Sequence, residues 1–229
     1  MTVNQDHSAV IIAGSSGLVG SELMKQLLDN SSIKTIYALV RKPPVFQSSK
    51  LVSIISPTLQ VDTWNAKQVH PTLGFICLGS TLKQAGSKQA LEKIDYELVC
   101  KVALEMKNLG VEKIAVVSSI GASLRSFSHY LRCKGKMEHA IRELGFRHVT
   151  FVRPGPLMGL RETPRYSETV TNAILRVLRP LLIGPLRNLS PIAASEVAQA
   201  MYLSVFQDAA PQVVIYRSAD IKARLKSGQ

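Results

Sequence analysis

The chain has 229 residues, of which 46% are hydrophobic, and carries 28 Lys and Arg against 16 Asp and Glu for a formal net charge of +12. That length supports one large core and is short for two independent ones, so a single domain over residues 1–229 is expected. No run of eighteen apolar residues marks a membrane-spanning helix, and the basic residues fall in small groups without the long basic run or aromatic stripe of a nucleic-acid surface.

The first predicted element is a strand, Val10 to Ile12 and its neighbours, in the segment AVIIAGSSGLVGSELMKQLL (residues 9–28). It runs into Gly14-Ser15-Ser16-Gly17-Leu18-Val19-Gly20 and then into a helix whose Leu18, Val19, Leu23, Leu27 and Leu28 recur at helical spacing. A strand, a G-x-x-G-x-x-G turn and a helix in this order suit a dinucleotide. Gly14 allows a backbone conformation closed to other residues, Gly17 lets a pyrophosphate approach the main chain, and Gly20 lets helix and strand touch. The helix start then offers its free N–H groups to the phosphates.

Further strands are predicted over Thr35 to Val40, Leu51 to Ile55 and Gly74 to Leu78, and a long helix over Ser87 to Leu109 with Leu91, Ile94, Leu98, Val102 and Met106 on one face. Lys113 to Ser118 reads as a fifth strand, Tyr130 to Leu144 as a helix closed by Gly145, and His148 to Val152 as a sixth strand. Short, continuously apolar strands alternating with helices imply an α/β fold, a doubly wound parallel sheet of the Rossmann type. Beyond Arg153, Pro154, Pro156, Pro164, Pro180, Pro185 and Pro191 break the chain into short pieces, with helices expected around Val170 to Leu178 and over Ala194 to Phe206 and a last strand at Val213 to Ile215. Residues 154–212 are therefore expected to form most of a substrate wall or lid.

Two features carry chemistry. The second strand ends Val40-Arg41-Lys42, where an NAD-specific site would place an acid on the ribose hydroxyls; basic groups there suit a 2'-phosphate, so NADPH is the expected cofactor. The fifth strand ends Ser118-Ser119, and eleven residues past Ser119 comes Tyr130-x-x-x-Lys134. Tyrosine and lysine at i and i+4 share a helix face, and a neighbouring ammonium favours the phenolate of a general acid-base tyrosine. Tyr-x-x-x-Lys alone usually reflects surface packing; its place after the fifth strand of a dinucleotide fold gives it meaning.

Taken together, these pieces resemble the short-chain dehydrogenase/reductase superfamily, in its atypical or extended form, and most closely the group around the Tat-interacting protein. The resemblance spans nearly the whole chain and implies Ser119, Tyr130 and Lys134 as catalytic residues. It further implies cofactor contacts from Gly14 to Gly20, Arg41, Lys42, Asp62 (adenine), Cys77-Leu78-Gly79-Ser80, Ser118, Tyr130 and Lys134, with Pro154 and Leu157 over the nicotinamide and Arg165 in a basic stretch closing on the cofactor. Many relatives place a proton-relay asparagine in the long helix; here Ile94-Asp95-Tyr96 stands in that neighbourhood, so the relay is not carried over.

The function expected is an NADPH-dependent oxidoreductase for a small carbonyl or alcohol substrate. The alternative is an NADPH-binding regulator or scaffold with little turnover, with a homodimer or a protein partner left open. No nucleic-acid partner is expected. Stable membrane association is not expected either, because Pro180 and Pro185 interrupt the apolar stretch Ala173 to Leu186. The opening MTVNQDHS lacks the blocks of a secretory signal, so a cytoplasmic location is expected. Cys77, Cys100 and Cys133 read as buried thiols, and the histidines at 7, 70, 129, 139 and 148 read as scattered, without H-x-x-x-H or His-Cys clustering, so no metal site is expected.

Overall fold

A computed structural model describes residues 9–61, 63–158, 190–206 and 211–227. Asp62, Arg165 and the helix expected around Val170 to Leu178 lie outside the described residues. The core is a seven-stranded sheet of β1 (Ala9–Ala13), β2 (Thr35–Val40), β3 (Leu51–Ile55), β4 (Leu73–Ile76), β5 (Lys113–Val117), β6 (His148–Arg153) and β9 (Val213–Arg217). Its order is β3-β2-β1-β4-β5-β6-β9 and every pairing is parallel. This is the expected Rossmann arrangement. The order reverses between β1 and β4, and ligands of such sheets bind outside the carboxyl ends of the strands at that point.

Both faces of the sheet are covered, which is why its strands read as unbroken apolar runs. Val10 and Ile12 of β1 join one core with Leu23, Met24 and Leu27 of α1 (Leu18–Asp29) and Val197 and Met201 of α6 (Ala194–Phe206). Ala9, Ile11 and Ala13 point the other way, into a core with Val99, Val102 and Met106 of α4 (Val99–Asn108) and Met137 and Ile141 of α5 (His129–Arg142). Part of the segment expected to be a substrate wall is thus structural: α6 packs under the sheet beside α1. A second, two-stranded sheet pairs β7 (Leu157–Met158) with β8 (Ile192–Ala193), and α7 (Ser218–Ser227) closes the chain; neither was expected from the sequence.

The helix expected over Ser87 to Leu109 departs from a regular α-helix in a way that matters. After the short α2 (Leu82–Ala85), α3 (Lys88–Glu92) passes through a π-helical turn, Lys93–Leu98, before α4 begins. The buried stripe consequently runs through Leu91, Asp95, Val99, Val102 and Met106, while Ile94 and Leu98, expected on that face, are only partly buried. The wide turn rotates a carboxylate inward where leucine spacing predicted an apolar face. π-turns of this kind recur at functional sites.

Candidate nucleotide-binding and catalytic site

The glycine loop is shaped by close approach to the strand beside it. Gly14 has φ +87°, and a Cβ there would lie 2.7 Å from the Cys77 carbonyl carbon and 2.8 Å from its oxygen. A Cβ on Gly20 would drive into the Gly14 carbonyl, so helix α1 can start this near β1 only without one. Gly17 caps α1 with extended backbone and no side-chain bond, and no acidic residue stands in the first turn. As at any helix start, the first N–H groups of α1 have no acceptor within the helix, and α1 begins a few residues past the carboxyl end of β1. That cradle fits the pyrophosphate of a dinucleotide. Ser15 is buried and Ser16 exposed.

Arg41 and Lys42 follow β2 directly and are both exposed, one strand away from the loop. On the other side of β1, Cys77 to Ser80 leave β4 as a loop, with Cys77 and Leu78 half-buried and Gly79 exposed. Burial pushes the Cys77 thiol up to about 12, so it is a neutral thiol against the glycine loop and not a nucleophile.

Lys134 lies one turn beyond Tyr130 in α5 and is almost wholly buried, with its ammonium 2.9 Å from Asp95 Oδ1, itself fully buried, and 3.4 Å from the Val117 carbonyl. Burial by itself pulls the Lys134 pKa down, but the charges of Asp95, Tyr130 and Glu138 and the Asp95 hydrogen bond outweigh it and hold the pKa above the usual lysine value. Asp95 Oδ2 also accepts the Ser80 N–H at 2.9 Å, which ties the π-turn to the loop after β4. A Cβ on Gly79 would lie 3.2 Å from Asp95 Oδ1 and 3.4 Å from Lys134 Nζ. The bare backbone of the loop after β4 therefore lies directly over the ion pair. Asp95, set aside in the sequence as a lost relay position, is the charge partner that keeps Lys134 buried and protonated.

A second buried network was also missed. Ser118 Oγ donates to Glu138 Oε1 at 2.5 Å, and Arg153 grips the same carboxylate through Nε at 2.8 Å and Nη2 at 2.6 Å. These contacts lock the ends of β5 and β6 to α5, and they occupy the Ser118 hydroxyl. Ser119 is half-buried, and among the described residues its hydroxyl makes a long contact, 3.4 Å, to the Ile120 carbonyl and lies outside that network. Tyr130 is half-buried at the same edge, and buried Pro154 accepts the Ile120 N–H at 3.0 Å, placing the turn before Leu157 alongside. Tyr130, Lys134 and Glu138 are spaced i, i+4, i+8, a polar stripe on a helix facing a core; that spacing was the readable signal for Glu138.

Comparison with known proteins assigns the family. The model of the family described as HIM1 matches residues 47–183. Protein FMP52, mitochondrial, of Meyerozyma guilliermondii is 31% identical over 224 residues, covering 94% of both chains. FMP52-1, mitochondrial, of Scheffersomyces stipitis is 35% identical over 196 residues, 83% of this chain and 85% of its own. The chain belongs to the HIM1/FMP52 family. This replaces the expected kinship with the Tat-interacting protein group. It also overturns the cytoplasmic expectation, since relatives of this family, including that of Saccharomyces cerevisiae, are named as mitochondrial proteins. Absence of secretory and membrane-spanning signals was the wrong test, because neither is what directs a protein to mitochondria.

Among solved structures, the UDP-N-acetylglucosamine 4-epimerase of Methanobrevibacter ruminantium M1 superposes with TM-score 0.66 at 15% identity, over 93% of this chain and 77% of its own. MoeE5 in complex with UDP-glucose and NAD gives 0.63 at 17% over 90% and 74%, and a short chain dehydrogenase family protein of Francisella tularensis 0.61 at 13% over 94% and 99%. The fold of this HIM1/FMP52 member is that of NAD-binding dehydrogenases and epimerases.

Proposed function

We propose that this HIM1/FMP52 member is an NADP(H)-dependent oxidoreductase that reduces a carbonyl, or oxidises the matching alcohol, in the mitochondrion. The observation that carries the reading is the buried Lys134, held by Asp95 directly beneath the loop after β4 and one turn from Tyr130. A packing lysine has no need to be buried as a full charge at the carboxyl edge of a dinucleotide fold; one that steadies a cofactor and a tyrosine does.

The Gly14 to Gly20 loop and the start of α1 hold the pyrophosphate, and Arg41 and Lys42 take the 2'-phosphate as charge-assisted donors. The bound nicotinamide supplies or accepts hydride. Ser119 holds the substrate oxygen by donating a hydrogen bond, and Tyr130 delivers its phenolic proton to that oxygen as charge builds there. Lys134 stabilises the phenolate left behind. It keeps one donor for a ribose hydroxyl, since Asp95 and Val117 take two of its three. Asp95 holds Lys134 charged and in place. A regulator with slow turnover would use the same cradle, and turnover with Tyr130→Phe as control separates the two readings. If NADPH binds but no carbonyl or alcohol panel yields Tyr130-dependent change in nicotinamide absorbance, the enzyme reading fails and the regulator remains.

A further inference from the structure

His129, the first residue of α5, and Cys133, one turn later, lie with Nε2 and Sγ 3.5 Å apart. Across from them α3 offers Glu92, whose Oε2 is 3.7 Å from the same nitrogen, and the carbonyl of Lys88, 3.1 Å from it. The Glu92, His129 and Cys133 ligand atoms all lie within 4.8 Å of one another. Two helices thus each bring a donor pair spaced i and i+4, and the histidine-cysteine clustering that the sequence was read as lacking is present in His129-x-x-x-Cys133.

The spacing can be compared with a known coordination chemistry. Zinc bonds of about 2.3 Å to sulfur and about 2.0 Å to imidazole nitrogen, opened to a tetrahedral angle, separate the two ligand atoms by about 3.5 Å. Nitrogen and oxygen ligands at such a centre sit about 3.3 Å apart, so the 3.7 Å and 3.1 Å separations need shifts of only a few tenths of an ångström. Glu92 is already oriented for this: Lys136 binds its Oε1 at 2.7 Å and leaves Oε2 turned towards His129. Cys133 is buried and Glu92 and His129 are half-buried, which suits a closed structural site more than an exposed adventitious one.

We propose that Glu92, His129 and Cys133, with the Lys88 carbonyl as fourth donor, form a binding site for one Zn²⁺ ion. Binding releases the Cys133 thiol proton to solvent and leaves a thiolate ligand. The ion joins the end of α3, where the π-turn bearing Asp95 begins, to the first turn of α5, where Tyr130 follows His129. Its role is to fix the two helices whose side chains meet in the Asp95 and Lys134 pair, and it takes no part in hydride or proton transfer.

The test uses the full chain without an affinity tag, stripped by chelator and titrated with Zn²⁺ and, in parallel, with Co²⁺. One equivalent of Zn²⁺ is expected to bind and to raise the thermal midpoint. Co²⁺ is expected to give tetrahedral visible bands and a near-ultraviolet thiolate-to-metal band that disappears in Cys133→Ser and persists in Cys77→Ser and Cys100→Ser. Glu92→Gln, a change at a half-exposed side chain that leaves the core alone, should weaken Zn²⁺ binding by at least about tenfold. Absence of stoichiometric Zn²⁺ binding, or a thiolate band that survives Cys133→Ser, overturns the proposal.

Discussion

At the scale of single residues, the site depends on one buried ammonium and the carboxylate that meets it. Breaking such a pair by removing one member leaves the other charge buried and alone, which costs about 3–5 kcal/mol. Asp95→Ala is therefore expected to lower the unfolding free energy by about that amount in denaturant titrations, and Asp95→Ala/Lys134→Met to recover much of it. Because the folded-state pKa of Lys134 is raised, the stability it contributes is complete at neutral pH. It is lost only as pH climbs beyond the ordinary lysine value of about 10.4 and through the folded value. Tyr130→Phe removes one hydroxyl. NADPH binding should survive while turnover of any identified substrate falls by about a hundredfold or more, and unchanged turnover would refute the acid-base role. Tyr130 and Lys134 were legible because their spacing follows a recognisable strand. Asp95 was not, because its partner is distant in sequence and its inward rotation depends on a turn geometry that composition does not announce.

At the scale of elements, the parallel strands were readable because burial on both faces leaves each of them continuously apolar. Their bounds moved by a residue or two: β4 starts at Leu73 and releases Cys77 and Leu78 to the loop, where they line the glycine turn. The long helix misled for a physical reason. A stripe drawn with Ile94 and Leu98 assumes 3.6 residues per turn throughout, whereas the π-turn widens one turn and sends the face through Asp95 and Val99. The placement of α5 rests on another close approach. A Cβ on Gly135 would collide with the backbone of Ser123 and Leu124, so Gly135→Ala must push the helix carrying Tyr130 and Lys134 away from the loop after β5. We expect a loss of about 1–3 kcal/mol in stability together with weaker NADPH binding. A variant with native affinity and stability would show that α5 tolerates displacement.

At the scale of the whole molecule, the sheet is held at its far side by a buried histidine. His148 Nδ1 donates to the Pro211 carbonyl at 2.7 Å, and Nε2 shares a hydrogen bond of 2.8 Å with the Thr150 hydroxyl. Burial pulls its pKa below the usual histidine value; the Pro211 bond opposes this and the charge of Lys113 adds to it. The contribution of His148 is then complete above about pH 6.5 and is lost as pH falls towards the folded value. Between about pH 7.5 and about pH 5.5 the thermal midpoint should drop more in the native protein than in His148→Asn. Among the residues behind the net charge of +12, Arg41 and Lys42 are exposed just past the end of β2, the strand paired with β1, and they give the account its sharpest consequence. The most direct test is a calorimetric titration of the purified chain with NADPH and NADH, repeated with Arg41→Ala. Saturable binding with NADPH favoured by about tenfold or more, and the preference narrowed in Arg41→Ala, is the predicted result. Failure to bind either nucleotide, or equal affinity for both in the native protein, would contradict it.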